Sequence, residues 1–429
     1  MIPVPEIEKC LQVAVEAQIL SGTEGGAEQY LIGLISGLGR LSIGKEQYTI
    51  ATAGDDVKWI RPYAGANTRI LPAPGHMSTS APARLVRAVR RRAGASLRGL
   101  GLITRPETKQ MLEIPRSDGF YESIPADVLH ITYPYHFVSS SIPTVYTVHD
   151  LQHRHLPEYF PERALSFREY MYPAAFAASR AIVAISHWVK DDLIRQYNVP
   201  AEKVYTIPSA APMEAYSPVT KECLARARTR FRLPESFLLY PALTYRHKNH
   251  IRLMEAIALL RDRDGLRLNL ICTGAQKLHW PAIESRLKEL DLASQVRFLG
   301  FVRSDELRCL FHLTDLLVLP SMFEGVGIPL LEAFREGTAV ACSDIPAFQE
   351  YGGDAPAFFD YRSVEQIAEV LRRICTNKEA LLGLRERSRK RRDLYSWERS
   401  AAMYRAVYRK VGECALTDED RSLLSACQQ

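Results

Sequence analysis

Long apolar segments and paired cysteines are both absent from the sequence. None of its apolar runs reaches the roughly 18 residues that a membrane-spanning helix needs. Its eight cysteines are scattered singly and form no CxxC pair, which is typical of reduced thiols in the cytosol rather than of a disulfide framework or a zinc site. Residues 1–20 have no basic segment ahead of their apolar positions, so we do not expect a signal peptide there. These absences predict a cytoplasmic protein.

Acidic residues are missing from residues 57–106, although ten Lys and Arg side chains occur there. Such a block attracts anionic partners. One interpretation is an exposed basic face or loop without a partner, and nucleic acid is not favoured because no recognition fold surrounds the block. The remaining interpretation is peripheral contact with an anionic membrane surface, since apolar residues lie among arginines at helical spacing. The arginines of this candidate membrane patch are Arg84, Arg87, Arg90, Arg91 and Arg92.

The length and the pattern of apolar segments predict two domains. A chain of 429 residues exceeds what one hydrophobic core usually supports. Short apolar segments alternate with amphipathic helical stretches in two series, which is typical of two doubly wound α/β domains with parallel sheets. The turn-rich residues 208–218 are the predicted linker between them. The predicted strands are 11–19, 48–54, 127–134, 143–150 and 180–186 in the first series and 237–243, 266–274, 296–302, 315–321 and 339–344 in the second, and the helical stretches include 250–263, 363–376 and 396–411.

Ligands of open α/β sheets bind beyond the carboxyl ends of the strands, so the residues there are candidates for a site. In the first series Gly25 and Gly26 follow the first strand and allow close approach of the backbone to a ligand. An ordinary strand-to-helix turn explains them equally well. His149 ends the fourth strand, and together with His153 and His155 it could be a metal ligand, but their spacing fits no common zinc signature.

A basic cluster follows the first strand of the second series. Arg246, His247 and Lys248 precede a helix that Asn249 could cap. Cations beside a helix N-terminus suit a phosphate or diphosphate, although a solvated basic turn is the alternative. Glycine-containing turns follow two later strands, one of them at residues 300–302.

Two glutamates stand in the segment SMFEGVGIPLLEAF, residues 321–334. Glu324 lies in a glycine-rich loop, and Glu332 lies in a helix whose first turn Pro329 marks. Carboxylates among apolar residues cost free energy unless a partner is present, and vicinal sugar hydroxyls are suitable partners. We expect the helix N-terminus to keep both glutamates ionised and to face phosphates. The backbone between them is formed by Gly325, Val326, Gly327 and Ile328.

Together these segments resemble the retaining nucleotide-sugar glycosyltransferases of family 4, also called glycosyl transferases group 1, which have the GT-B fold. The strongest similarity covers about 65 residues, from QVRFLGFV to DAPAFFD, and contains the glutamate, seven residues and glutamate signature as Glu324 and Glu332. Weaker similarity at EGGAEQY, TVHD, AIVAISHWVKDDL and YPALTYRHKNH extends it over most of the chain. The last of these segments resembles mannosyltransferase-like members that use GDP-mannose.

The resemblance implies a hexosyltransferase, with mannose favoured, that acts in surface polysaccharide biosynthesis. The donor would be a nucleoside diphosphate sugar, and the acceptor would be a glycan or a polyprenyl-linked glycan. No metal or other cofactor would be needed, because cationic side chains and a helix N-terminus stabilise the leaving diphosphate. A sugar-nucleotide epimerase and a non-catalytic binding module of the same fold are the alternatives; epimerases lack the glutamate signature, and a decayed site is expected to have lost Glu324, Lys248 or His149.

The resemblance also implies roles for individual residues. Glu324 and His149 would contact the transferred sugar, Lys248 would neutralise the diphosphate, and Glu332 would bind the ribose hydroxyls. The arginine that the family commonly places several residues before Lys248 has no counterpart here, and Arg246 is the candidate substitute. The expected backbone contacts are Gly25, Gly26, Gly327 and Ile328 for the phosphates and Gly300 to Val302 for the base. Gly325 and Val326 are further expected donor-binding residues.

The domain limits implied by the resemblance follow the two series. Residues 1–210 would form the acceptor-side domain, with the basic block as an insertion at about 57–106. Residues 219–395 would bind the donor, and residues 396–429 would contain a helix that returns to the N-terminal domain. The segment VYTIPSAAP lacks the Asn–Gly pair that is usual in the family, so this connection departs from the pattern.

Overall fold

The structure is a computed structural model that describes residues 10–19, 25–54, 57–73, 114–133, 137–212 and 216–429. It contains two parallel sheets. The first sheet has seven strands in the order β3-β2-β1-β4-β5-β6-β7. Its strands are β1 (Gln12–Ala17), β2 (Gln47–Ala53), β3 (Thr68–Ala73), β4 (Val128–Ile131), β5 (Thr144–Val148), β6 (Ala181–Ala184) and β7 (Val204–Thr206).

The second sheet has six parallel strands in the order β10-β9-β8-β11-β12-β13. The strand order reverses direction between β1 and β4 in the first sheet and between β8 and β11 in the second, and such points are where doubly wound sheets bind ligands. The strands are β8 (Leu238–Pro241), β9 (Leu270–Thr273), β10 (Val296–Phe298), β11 (Leu316–Leu319), β12 (Ala339–Ser343) and β13 (Ala357–Phe359).

Helices connect the strands and cover the sheets. Local signals set their ends: the Ser186 hydroxyl accepts a hydrogen bond from the Val189 N–H at the start of one helix, and Gly337 ends another with a φ of 68°. The helices are α1 (Gly26–Arg40), α2 (Gln152–His155), α3 (Glu162–Ala178), α4 (His187–Tyr197), α5 (Lys221–Phe231), α6 (His250–Asp264), α7 (Trp280–Glu289), α8 (Ser304–Leu313), α9 (Ile328–Glu336), α10 (Pro346–Gly352), α11 (Val364–Cys375), α12 (Lys378–Lys390), α13 (Trp397–Val411) and α14 (Asp418–Gln428).

The predicted fold class, two doubly wound α/β domains, is confirmed by the two sheets. Each predicted strand is present at the expected place, and the three named helical stretches correspond to α6, α11 and α13. The ten predicted strands do not include β3, β7 or β13, and β7 has only three residues. Strand β3 is a half-exposed edge strand that contains Pro72, and β13 has only three residues, so neither produces a continuous apolar run.

Helix α13, the second to last helix of the chain, packs on α1 of the first domain. The hydroxyl groups of Tyr30 and Tyr404 lie 2.6 Å apart in this contact. A Cβ atom at Gly33 would come within 1.9 Å of the Trp397 ring, so only glycine allows the two helices to lie this close. The ring nitrogen of Trp397 donates a hydrogen bond to the Ala210 carbonyl at 2.8 Å. The chain therefore crosses back from the second domain to the first.

Contacts between the domains also come from α10. The Glu350 carboxylate accepts hydrogen bonds of 2.8 Å from the backbone N–H groups of His187 and Trp188, at the N-terminus of α4. Such a carboxylate is favoured by the helix dipole. Within the described ranges, no helix has both the length and the apolar character needed to cross a membrane.

Candidate active site

A cleft of about 400 Å³ lies between the carboxyl ends of the two sheets. The first domain contributes residues that follow β1 and β5, and the second contributes residues that follow β8, β9, β10 and β11. Most of the predicted site residues line this cleft. They are Gly25, Gly26, His149, Lys248, Val302, Glu324, Gly325, Val326, Gly327, Ile328 and Glu332.

Lys248 and Glu324 form an ion pair inside the cleft. Lys248 ends a short 3₁₀ turn after β8, and Glu324 lies in the loop between β11 and α9. The Lys248 Nζ atom is 2.5 Å from Glu324 Oε1, and the two side chains are only 20% and 15% exposed. The Tyr240 hydroxyl holds the turn by donating to the Lys248 carbonyl. An anionic ligand can therefore compete with Glu324 for a positioned, poorly solvated ammonium group.

Glu332 is the second glutamate of the cleft and lies in the second turn of α9. Its side chain is almost fully buried, with an exposure of 5%. Burial, and then the negative charge of Glu336, raise the pKa of Glu332 to about 8. The expectation that the helix N-terminus keeps both glutamates ionised is therefore wrong for Glu332, because desolvation outweighs the dipole at this depth. The carboxyl group is largely protonated at neutral pH.

Glu336 keeps its charge one helical turn further along α9. Burial opposes ionisation, but hydrogen bonds from His312 and Arg308 outweigh it and lower the pKa of Glu336. Arg308 Nε lies 2.6 Å from the Glu336 carboxylate. The negative charge of Glu336 is the second cause, after burial, of the raised pKa of Glu332.

Glycines allow the loop before α9 to approach its neighbours. Gly327 has a φ of 83°, and a Cβ atom there would lie 2.3 Å from the Phe348 ring. A Cβ atom at Gly325 would lie 1.9 Å from the His149 carbonyl oxygen of the other domain. The Gly325 carbonyl accepts a hydrogen bond of 3.0 Å from the Ser186 hydroxyl. Pro329 has no N–H, and the Leu330 N–H donates to the Gly327 carbonyl at 2.9 Å, so the positive end of the α9 helix dipole is what suits an anion in the cleft.

His149 is a neutral side chain with a defined tautomer. Its Nε2 atom lies 2.8 Å from the Thr132 carbonyl oxygen, which can only accept, so we assign the proton to Nε2. Burial lowers the pKa of His149, although the hydrogen bond to Thr132 and the charge of Asp150 both act to raise it. The Tyr30 ring packs edge-on at 4.7 Å between ring centroids. Nδ1 is therefore available as a hydrogen-bond acceptor.

The histidines near His149 do not assemble a metal site. His153 Nε2 lies 2.8 Å from the Tyr197 hydroxyl, and His155 Nε2 lies 2.7 Å from the Asp192 carboxylate. In the part of the chain that the structure describes, no group of three or more His, Cys, Asp or Glu side chains could hold a metal ion.

Two predicted site residues do not line the cleft. The Arg246 guanidinium lies over the Tyr159 ring, 4.6 Å from its centroid. Gly300 accepts a hydrogen bond of 2.7 Å from the Gly274 N–H and leaves the cleft wall to its neighbours Phe301 and Val302. The predicted cap at Asn249 is wrong as well: its side-chain amide donates to two loop carbonyls, and its Oδ1 accepts from the Arg252 guanidinium rather than from a backbone N–H of the helix.

The structure adds cleft residues that the sequence patterns do not indicate. Arg168 of α3 lines the cleft from the first domain. It lies in the middle of a helix, away from any strand end, so no motif identifies it. Tyr133 and Ser304 line the cleft as well.

The candidate membrane patch, Arg84 to Arg92, lies outside the described residues.

The two halves of the chain match two glycosyltransferase family models. Residues 24–214 match the model described as Glycosyltransferase Family 4, and residues 224–391 match the model described as Glycosyl transferases group 1. The first range covers β2 to β7 and the second covers β8 to β13, with residues 215–223 between the two ranges.

Curated relatives include mannosyltransferases from Escherichia coli. The O-antigen chain mannosyltransferase B is 27% identical over 245 residues, which cover 55% of this chain and 63% of that protein. The serotype-specific mannosyltransferase WbdA is 30% identical over 296 residues, which cover 66% of this chain and 34% of that protein. The matched part is thus less than two thirds of the length of either relative.

Solved structures with the same fold include Anabaena Alr3699/HepE in complex with UDP and glucose. It has a TM-score of 0.68 at 15% identity, and the match covers 93% of this chain and 100% of that one. WaaG, a glycosyltransferase involved in lipopolysaccharide biosynthesis, has a TM-score of 0.63 at 17% identity, and the match covers 93% of this chain and 99% of that one. At sequence identities of 15% and 17%, the similarity shows a shared fold alone.

Proposed function

Because the chain belongs to the GT-B glycosyltransferases of family 4 and group 1, we propose that it transfers a hexose from a nucleoside diphosphate sugar to a glycan with retention of configuration. Residues 1–210 are proposed as the acceptor side and residues 219–395 as the donor side. The observation that carries the proposal is one cleft in which Lys248 and Glu324 form a poorly solvated ion pair, with Glu332 and the N-terminus of α9 also in its wall.

The proposed chemistry places negative charge on the departing nucleoside diphosphate. Lys248 and the positive N-terminus of α9 stabilise that charge, and such preorganised electrostatic stabilisation is usually the largest catalytic contribution. Glu324 accepts hydrogen bonds from the sugar hydroxyls, and His149 accepts another at Nδ1. Glu332 accepts from the ribose hydroxyls. The acceptor hydroxyl attacks on the side of the leaving group and passes its proton to the diphosphate, and no general base is assigned.

GDP-mannose is the proposed donor, and surface polysaccharide is the proposed product. Support comes from the relatives, which are named as an O-antigen chain mannosyltransferase and a serotype-specific mannosyltransferase. A growing glycan, free or on a polyprenyl carrier, is the proposed acceptor. No metal is proposed as a cofactor, because Lys248 and the N-terminus of α9, which both line the cleft, are proposed to compensate the charge of the diphosphate.

A panel of nucleotide sugars tests the proposal. The purified protein is incubated with GDP-mannose, UDP-glucose, UDP-galactose and UDP-N-acetylglucosamine, with and without EDTA, and nucleoside diphosphate release is measured. We expect slow release from GDP-mannose that EDTA does not abolish. A new sugar nucleotide would indicate an epimerase, and binding without turnover would indicate a non-catalytic module. The α configuration of the product, determined by NMR with a mannoside acceptor, tests retention.

We also propose that the candidate membrane patch, Arg84 to Arg92, brings the enzyme to a lipid-carried acceptor. The supporting pattern is residues 81–105, where seven arginines and no acidic residue stand among leucines and valines. Each basic residue close to an anionic leaflet contributes about 1 kcal/mol to binding, and apolar neighbours add to it.

A further inference from the structure

Two cysteines from distant parts of the chain meet behind the donor side of the cleft. Cys223 lies in the first turn of α5, and Cys309 lies in α8, 86 residues further along. Their Sγ atoms are 3.1 Å apart, with Cys309 as the hydrogen-bond donor. Cys309 is buried, whereas Cys223 is partly exposed. Helices α5 and α8 pack directly against each other, so the packing of the domain holds the two thiols together.

The surroundings give the two thiols different reactivity. Burial alone would raise the pKa of Cys223, but the hydrogen bonds from Cys309 and from the Thr220 backbone outweigh it, so the pKa is lowered. The Thr220 N–H lies 3.1 Å from Cys223 Sγ, at a helix N-terminus that favours a thiolate. Burial and the contact with Cys223 raise the pKa of Cys309 to about 12. Cys223 is thus the accessible nucleophile, and Cys309 is the protonated partner.

We propose that Cys223 and Cys309 are a reversible dithiol–disulfide site that reacts with low-molecular-weight disulfides. The Cys223 thiolate attacks one sulfur of the disulfide RSSR, which forms a mixed disulfide and releases one thiolate, RS⁻. Cys309 then gives its proton to that thiolate and attacks the Cys223 sulfur, which releases the second RS⁻. Two electrons pass from the protein to RSSR, and the products are one protein disulfide and two RSH after protonation. Because an S–S bond is about 2.05 Å long, the sulfur atoms need to approach by about 1 Å.

The position of α8 connects this site to the cleft. Ser304 and Leu307 of α8 line the cleft, and Arg308 of the same helix binds Glu336, beneath Glu332. A disulfide between Cys223 and Cys309 fixes α8 against α5 and therefore changes the positions from which these side chains contact a ligand. We therefore expect a severalfold higher KM for the donor in the oxidised protein. This consequence rests on the proposed function, whereas the disulfide itself does not.

The disulfide is tested without any donor. The full chain is incubated with oxidised glutathione at pH 8, quenched with acid, alkylated with iodoacetamide, digested and analysed by mass spectrometry. We expect a cross-linked peptide pair that contains Cys223 and Cys309, a loss of about 2 Da from the intact protein, and full reversal by dithiothreitol. In the untreated protein, Cys223 is expected to be alkylated much faster than Cys309.

Variants identify the residues involved. Cys223→Ser and Cys309→Ser should each abolish the cross-link, and only Cys309→Ser should leave a stable glutathione adduct on Cys223. Cys375→Ser, at a partly buried cysteine in α11, is the matched control and should leave the cross-link unchanged. A glutathione adduct without a cross-link in the wild type, a different cysteine pair or no reaction would overturn the site. A normal donor KM in protein with a fully formed cross-link would overturn its connection to the cleft.

Discussion

Lys248 Nζ and Glu324 Oε1 lie 2.5 Å apart, although 76 residues separate the two side chains along the chain. Each charge is compensated by the other in a part of the cleft with little water. A diphosphate that takes Lys248 as its partner must weaken this pair and leaves Glu324 to the sugar hydroxyls. The ion pair therefore connects phosphate binding with sugar binding in the proposed reaction.

Replacing Lys248 by alanine should weaken donor binding without unfolding the protein. A hydrogen bond to a charged group contributes about 1.5–3 kcal/mol, which corresponds to a loss of affinity of roughly 10- to 150-fold. Lys288→Ala is the matched control, because it removes the same charge from an exposed position in α7. Donor affinity is measured by isothermal titration calorimetry, and circular dichroism checks the fold. Equal affinities of Lys248→Ala and the wild type would show that the diphosphate lies elsewhere.

Part of this site can be predicted from sequence, because strand ends, glycines and Pro329 are local signals. The apolar runs before Lys248 and Glu324 place both residues at the same edge of one sheet. The contact between the two side chains depends on side-chain geometry, which the spacing of apolar residues in the sequence does not predict. The ionisation of Glu332 could not be predicted either, since it depends on burial by residues from other elements and on the charge of Glu336. Likewise, Cys223 and Cys309 appear as single cysteines until α5 and α8 pack together.

Donor binding should strengthen as the pH rises from 6 to 8.5. Because the pKa of Glu332 is raised to about 8, the carboxyl group is protonated over most of this range and ionises near its upper end. Ribose hydroxyls donate more readily to the ionised form, so donor binding releases a proton. Below the pKa we expect a loss of up to roughly tenfold in affinity for each pH unit.

The variant Glu332→Gln is the control for this pH dependence. Its amide does not titrate, so donor affinity should be uniformly weak and nearly constant from pH 6 to 8.5. Calorimetry in buffers with different ionisation enthalpies should detect proton release only in the wild type. If the affinity of the variant rises with pH as steeply as that of the wild type, another group titrates and the role of Glu332 is wrong.

A methyl group at Gly325 should separate the two domains. The Cβ atom of Gly325→Ala would lie 1.9 Å from the His149 carbonyl oxygen, so the loop before α9 has to move away from the first domain. We expect a destabilisation of roughly 1–3 kcal/mol and a larger radius of gyration in small-angle X-ray scattering.

Gly383→Ala serves as the control for Gly325→Ala. A Cβ atom at this position in α12 would meet only Arg387 Nη1 at 3.7 Å, an ordinary contact. Alanine also favours the helix by up to about 1 kcal/mol, so this variant should be as stable as the wild type or more stable. An unchanged melting temperature and scattering profile for Gly325→Ala would mean that the domain contact at His149 is not maintained in solution.

Binding to anionic vesicles should depend on the candidate membrane patch. Replacing Arg90, Arg91 and Arg92 by glutamate changes the local charge by six units, and at about 1 kcal/mol for each basic residue lost, binding should fall by at least 100-fold. The control variant carries the same three charge reversals at Lys221, Arg226 and Arg228, which are exposed on α5. Cosedimentation with phosphatidylglycerol-containing and purely phosphatidylcholine vesicles at 50 and 300 mM salt measures both effects. We expect salt-sensitive binding of the wild type and the control to the anionic vesicles alone. Equal binding of the wild type to both vesicle types would show that the patch does not recognise an anionic membrane. An equal loss of binding in both variants would show that net charge, and not this patch, is responsible. Either result would favour an acceptor without a lipid carrier.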